Sequence, residues 1–401
     1  MKIIISGAGI GGLTAALCFL HQGADVAVLE RANELSGIGA GIQLPPNAMK
    51  IFMALGLDGA LADVAFRPDA IQARMGRSGL ELFNIPLADA AIQRWGAPYL
   101  HIHRADYIEV LKKALVAKSP EALVLGENVT GYSQTDKGVS AQLAGGKTIN
   151  GGVLIGADGI HSRIRETMLG AEKPRFTGNV AWRAVVPIEK LGQLAPPPTA
   201  CVWMGRGKHC VTYRLRRGTL VNFVGVVERN DWTKESWTER GSAEDAQADF
   251  TGWHPMITNL LSEADELYRW ALFDREPLST WVDGRVALLG DAAHPMLPFM
   301  AQGAAMAVED AWVLAQKLCT QSDIPAALTA YQQSRQPRTT KTQAQSRANA
   351  KTFHRRNIAS QLVGYGPMWL AGKLTPSFVH SRQDPLYGHD VTLSADSPTK
   401  T

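Results

Sequence analysis

The stretch from Lys2 to Glu30 constrains this chain more than any other. Lys2–Ser6 is a short β-branched run, the composition of a strand buried on both faces. Gly7-Ala8-Gly9-Ile10-Gly11-Gly12 follows at once, Leu13–Gln22 reads as a helix, and Asp25–Leu29 as a second strand ending in Glu30. That order specifies a parallel βαβ unit of the dinucleotide-binding kind. Gly7 permits the tight turn, Gly9 lets backbone approach a pyrophosphate, and Gly12 lets helix and strand pack closely. Glu30 stands where a carboxylate accepts hydrogen bonds from an adenosine ribose. A glycine-rich turn with an incidental acid is the competing reading, and the motif alone does not separate NAD from FAD.

A second stretch, Arg285–Asp310 (RVALLGDAAHPMLPFMAQGAAMAVED), narrows the choice. An apolar run ends at Gly290, Asp291 opens a loop, and His294, Pro295 and Pro298 stiffen it. After Gln302-Gly303 the composition turns helical. Free amides and the dipole at such a helix start form a cradle for an anionic group, here expected to be a flavin ring. Between these ends, Tyr99–Leu111 starts extended and turns helical near Ala105, with Arg104 at the transition, where a guanidinium can pair with phosphate. Val153–Arg165 runs from strand into Gly156-Ala157-Asp158-Gly159, and Ser162 caps a helix. Ile38–Asn47 is a loop able to bring backbone against a flat ring. Pro46–Leu57 reads as a helix with Met49, Phe52 and Met53 on one packing face. Leu123–Gly126, Val129–Tyr132, Gly138–Leu143 and Thr148–Ile149 suggest an antiparallel meander laid on the parallel sheet.

Composition removes other classes. The 401 residues are 45% hydrophobic and 19% charged, enough for a sizeable core, and the net charge of +4 is too mild for a nucleic-acid partner. Cys18, Cys201, Cys210 and Cys319 make no CxxC pair, so neither metal cluster nor disulfide framework is expected, and a reducing, cytoplasmic setting fits. Met1–Leu20 superficially resembles a signal peptide, but four glycines interrupt it. No apolar run reaches membrane-spanning length, and no membrane partner is expected.

The order of these motifs resembles the single-component FAD monooxygenases of the para-hydroxybenzoate hydroxylase fold. The chain is similar to the branch of salicylate hydroxylase, 3-hydroxybenzoate 6-hydroxylase and 6-hydroxynicotinate 3-monooxygenase, from Met1 to roughly Asp390. The resemblance implies that Gly7, Gly9 and Gly12 hold the FAD pyrophosphate, Glu30 the ribose, and Arg104 the pyrophosphate or ribityl region. Asp158 belongs to a motif serving both FAD and NAD(P)H. Asp291 binds the ribityl chain, Pro298 lies beside the isoalloxazine, and the amides near Gln302, Gly303 and Ala304 face its N1 and O2. Arg31 and Val129 join the cofactor contacts by the same resemblance. NADH or NADPH docks transiently, since no second GxGxxG follows a strand.

The implied architecture is α/β: a Rossmann-like FAD-binding domain (residues 1–68, 100–170 and 280–320) of parallel sheet plus antiparallel meander, and an antiparallel-sheet substrate domain (69–99 and 171–279). A C-terminal helical cover (321–393) and a disordered tail (394–401) complete it. Val180–Pro187, Ala200–Met204, His209–Leu215 and Thr219–Val227 read as the substrate sheet. Alternation puts His209, Val211 and Tyr213 on one face. His209 and Tyr213 are candidates to bind and ionise a phenol, Arg183 to bind a carboxylate, and Gln43 to face ring or substrate; a packing role competes for each. Cys201 reads as buried filler, His294 as a loop-shaping residue, and Trp232, Trp237 and Trp253 as core or rim. On the helix Asp323–Arg347, Ala and Leu face inward, and Arg335, Arg338 and Lys341 are expected on a solvated face.

The implied reaction is hydroxylation of an aromatic acid, salicylate-like first, with NAD(P)H and O₂ through a flavin C4a-hydroperoxide; the chain acts as monomer or homodimer. A flavin oxidase or dehydrogenase on the same fold, and a non-catalytic flavin-binding protein, are the alternatives.

Overall fold

The computed structural model describes residues 1–35, 40–229 and 239–393. Part of the expected Ile38–Asn47 loop, Trp232, Trp237 and the tail 394–401 lie outside the described residues.

Three strands set the frame. Lys2–Ser6 lies between Asp25–Glu30 and Val153–Gly156, parallel to both, and Val286–Leu288 continues the sheet beyond Val153–Gly156. The register aligns Ser6 with Leu29 and Gly156, and Gly156 with Leu288. The strands therefore end together, so the loops after Ser6, Gly156 and Leu288 leave from one edge of the sheet, the usual place for a ligand in such folds. The central strand is buried from Ile3 to Ser6, as a parallel strand covered on both faces must be. Helix Ile10–His21 packs on one side of it, against helix Gly303–Thr320.

The expected meander divides. Leu123–Leu125 pairs parallel with Val28–Glu30 at the edge of the main sheet, where the amide of Val28 also donates to Ala122. Only Val129–Thr135, Gly138–Leu143 and Thr148–Gly151 form the separate antiparallel sheet. The helix after Pro45 stops at Ala54, and Met53 is 44% exposed. Its buried arc runs through Ala48, Ile51 and Phe52, and Met53 turns just past its edge.

The second large sheet has seven strands in the order Tyr268–Asp274, Arg175–Pro187, Leu220–Glu228, Lys208–Leu215, Ala200–Gly205, Ala70–Met75, Glu81–Pro86. Four were expected. Ala70–Met75 pairs parallel with Ala200–Gly205, although well over a hundred residues separate them in the chain. One face of this sheet carries Trp182, Trp203 and Phe223 into a core shared with Phe250; the other looks toward the parallel sheet.

The long helix Ile324–Phe353 is capped by the Asp323 carboxylate, which accepts from the Ala326 amide at 3.1 Å. It corrects one expectation sharply. Arg335 is 1% exposed, not solvated. Glu309 and Asp310, fully buried on helix Gly303–Thr320, require a counter-charge, and Arg335 supplies it at 2.7 and 2.8 Å. Arg338 is largely buried too, with its Nε 2.8 Å from Glu309.

Candidate functional site

A cavity of about 350 Å³ lies where the aligned strand ends meet the inner face of the seven-stranded sheet. Backbone forms one end of it: Gly9 to Gly11, Gly41 to Gln43, Gly159 and Ile160, and the loop from Pro295 to Ala304. Arg104 and Asp291 reach the same cavity, so Gly9, Arg104 and Asp291, far apart in sequence, face one space.

The glycines divide the labour. A Cβ on Gly7 would lie 2.5 Å from the Ala157 carbonyl oxygen, and the residue has φ of +103°. A Cβ on Gly12 would lie 1.9 Å from the Gly7 carbonyl oxygen. Both are required by packing, and neither lines the cavity. Gly9 has open space where its Cβ would be. Glu30 stands beside this turn; its carboxylate accepts from the amides of Ala8 at 2.8 Å and Ala32 at 2.9 Å.

The loop before helix Gly303–Thr320 is stapled from behind. Gln343, Ser346 and Asn349, on successive turns of the long helix, donate to the carbonyls of Pro295, Leu297 and Phe299 at 2.9, 2.7 and 3.3 Å. His294 is buried, its Nε2 2.5 Å from Asp310, so it shapes the loop as expected. Ala301 takes the left-handed conformation (φ 51°, ψ 35°), turning the chain so that the helix begins at the cavity. Gln302 is 1% exposed; its Oε1 accepts from Asn47, while its Nε2 has no partner. An orphaned buried donor beside the first, intrinsically unbonded amides of a helix is a cradle for the electron-rich edge of a ligand. The Asp291 carboxylate lies close to Gly303 and lines the cavity, where the residue keeps an exposed surface. The protein packed around it desolvates the carboxylate and raises its pKa, against His294, Arg104 and Arg165, which pull it down.

The other wall is side chain. His209, Val211 and Tyr213 all face the cavity, as alternation required, together with Arg183, Val224 and Trp270. Cys210 and Thr212 point into the opposite core, as does Cys201. The Arg183 guanidinium lies 4.6 Å from the Trp270 ring centre, and burial lowers its pKa to about 10. Tyr213 is 5% exposed and burial raises its pKa. A Cβ on Gly41 would lie 2.4 Å from the Tyr213 ring, so a glycine makes room for that ring. Gln43 lines the cavity and accepts from the Tyr99 hydroxyl at 2.5 Å. Pro298 lines it as well.

Several expected residues lie outside it. Arg31 is exposed on the surface beyond Glu30, and the Val129 side chain belongs to the core. Asp158 accepts from the Arg163 and Ile164 amides at 2.8 and 3.2 Å, which makes it a helix cap; its second oxygen is buried without a partner. Sequence reasoning missed Trp270, His101, Asn222 and His354. The His101 ring lies 4.8 Å from that of Tyr213, tilted by 50°, and Asn222 accepts from the Gly41 amide at 2.8 Å. Trp270 was findable, because Tyr268–Asp274 contains a continuous apolar run of strand length; the others depend on pairings between distant segments.

Comparisons agree with this geometry. Residues 1–346 match the family model described as the FAD binding domain. The chain belongs to this FAD-binding family. A 3-amino-4-hydroxybenzoate 2-monooxygenase of Streptomyces platensis is 39% identical, covering 88% of each chain. A 3-hydroxybenzoate 6-hydroxylase of Aquipseudomonas alcaligenes is 37% identical, covering 97% of this chain and 98% of that one. A solved salicylate hydroxylase in complex with its substrate superposes with a TM-score of 0.81 at 27% identity, covering 97% and 96%. The flavoprotein is thus an FAD-dependent monooxygenase of the aromatic-hydroxylase group. The cradle's open glycine, orphaned amide donor and free helix start fit that cofactor. Among the described residues, no cluster suits a metal ion, and no helix is long and apolar enough to cross a membrane.

Proposed function

We propose that this flavoprotein hydroxylates a small phenolic acid, a hydroxybenzoate or hydroxynicotinate, with salicylate the first candidate. The observation that supports this reading is the convergence of Arg183, His209 and Tyr213 on the cavity that also holds the flavin cradle. When bound and reduced by NADH or NADPH, FAD would activate O₂, one atom of which enters the ring while the other leaves as water.

The protein's own residues bind, orient and ionise. The amides near Gly9 and the Arg104 guanidinium take the pyrophosphate, Asp291 the ribityl chain, and the amides of Gly303 and Ala304 the flavin's electron-rich edge. Arg183, still cationic with its pKa near 10, pairs with the substrate carboxylate. Burial lowers the pKa of His209 well below its ordinary value, so its imidazole stays neutral and takes the phenolic hydrogen only as it passes its own on. Tyr213, protonated, donates a hydrogen bond to the phenolate that results. Loss of that proton makes the ring electron-rich enough to attack an electrophilic oxygen. Val211, Val224 and Trp270 keep water from the reacting atoms. The protein is expected to work in the cytoplasm, as monomer or homodimer.

The test is direct. Purified protein with FAD and NADH, given salicylate, 3-hydroxybenzoate, 4-hydroxybenzoate and 6-hydroxynicotinate under labelled O₂, is expected to form a product carrying one labelled atom. Substrate-driven flavin reduction without nicotinamide would instead mark an oxidase or dehydrogenase.

A further inference from the structure

His209 does not stand alone. Its Nδ1 lies 2.6 Å from Nε2 of His354, the residue that ends the long helix Ile324–Phe353. Nδ1 of His354 lies 3.2 Å from Oε1 of Glu228, at the end of strand Leu220–Glu228. Both imidazoles are buried, and the rings of Phe299 and Phe353 cover His209 at 5.2 and 5.0 Å. His209 lines the candidate site, whereas His354 and Glu228 line a second cavity, of about 1020 Å³. The three side chains span the wall between the two.

This geometry sets the tautomers. A carboxylate only accepts, so Nδ1 of His354 carries the hydrogen. Its Nε2 is then an acceptor, and Nδ1 of His209 must be the donor. That leaves Nε2 of His209 as a bare lone pair, the one nitrogen available to the candidate site. Burial opposes a charge on either ring, so the pair waits neutral.

We propose that His354 and Glu228 are a proton relay, carrying the phenolic proton from His209 to solvent in the second cavity. This rests on the reading of His209 as the phenol's base. The substrate O–H bond breaks as an N–H bond forms at Nε2 of His209. The hydrogen on Nδ1 of His209 passes to Nε2 of His354, and the hydrogen on Nδ1 of His354 passes to Glu228 and then to water. Neither imidazole gains net charge; each changes tautomer. When the product phenolate takes a proton from Nε2 of His209, the same path runs backwards and resets both rings. Arg356 holds the other Glu228 oxygen, its Nε at 2.9 Å. Of the other charges around that cavity, Arg229 is paired with Asp249 and Arg347 with Asp274, while Arg206 and Lys208 bond backbone carbonyls. On the substrate side, Arg183 and Tyr213 share the cavity with His209.

The FAD-loaded protein is mixed with 3-hydroxybenzoate in weakly buffered solution containing an indicator dye. Wild type is expected to release a proton to the medium as the acid binds. Glu228→Gln and His354→Gly are expected to keep FAD and bind the acid, but to release the proton about tenfold more slowly, with added imidazole restoring the rate in His354→Gly. Glu228 is partly exposed, so its variant tests the relay even if His354→Gly folds poorly. Unchanged release rates in both variants, or binding without release in wild type, would overturn the relay alone. Failure of wild type to bind 3-hydroxybenzoate, salicylate or 6-hydroxynicotinate would overturn the substrate reading and the relay with it.

Discussion

The two walls of the cavity are built by different means. On the strand-end side the chain presents backbone: the turn at Gly9, the left-handed Ala301, and the open amides of helix Gly303–Thr320. On the seven-stranded sheet it presents side chains, Arg183, His209 and Tyr213, on strands whose backbones are spent on one another. A ligand held by backbone requires particular dihedral angles and close approaches, which only certain residues allow. A ligand held by side chains requires only the right alternation, which many sequences satisfy. The first wall therefore suits a cofactor shared by a whole family, and the second a substrate that differs between its members.

That contrast can be broken by mutation. The largest effect is expected behind the backbone wall. Arg335→Met leaves Glu309 and Asp310 buried with less counter-charge, and should cost about 3–5 kcal/mol in urea unfolding. A loss near zero would mean that Arg338 and His294 suffice. Asp291→Ala is next. It removes the side chain that faces the cradle, and FAD affinity should fall about 10- to 100-fold with an unchanged circular dichroism spectrum. Unaltered FAD content would take Asp291 off the cofactor. Tyr213→Phe sharpens the comparison from the other wall. Turnover should fall about tenfold while bound FAD stays the same, since the change removes only the hydroxyl proposed to bond the substrate. Equal losses of FAD and turnover would show that the walls are not separable.

The same contrast explains what was legible in the sequence. The βαβ unit, the Asp291 loop and the helix start could be read because Gly7 and Gly12 have no room for a Cβ, and because prolines punctuate the loop. On the seven-stranded sheet, the facing of His209, Val211 and Tyr213 followed from period two alone. What was hidden lies in pairings across long separations. Ala70–Met75 joins Ala200–Gly205, and nothing local in either announces the other. Arg335 looked solvated because its own helix is polar; its partners Glu309 and Asp310 sit on another helix, and only packing reveals that they are buried. His354 ends a polar helix, and its role beside His209 depends on where that helix stops.

The smallest expected effect falls on the seam between the walls. His101 lies on strand Leu100–His103, which pairs with Gly41–Leu44, and its ring rests against Tyr213. Complete burial lowers its pKa from the ordinary 6.5 to about 3. The unfolded chain therefore takes up a proton below pH 6.5 that the folded chain refuses until about pH 3. Stability is full above pH 6.5 and falls through that window by about 1.4 kcal/mol per pH unit from this residue. His209 and His354, also shifted downward, add slope of the same sign. Urea unfolding of wild type and His101→Gln between pH 6 and 5 separates the terms. The variant loses some stability at every pH, but its curve should be flatter by roughly the contribution of one histidine. Equal slopes would show that His101 is protonated in the folded protein, and that the seam is wetter than its burial indicates.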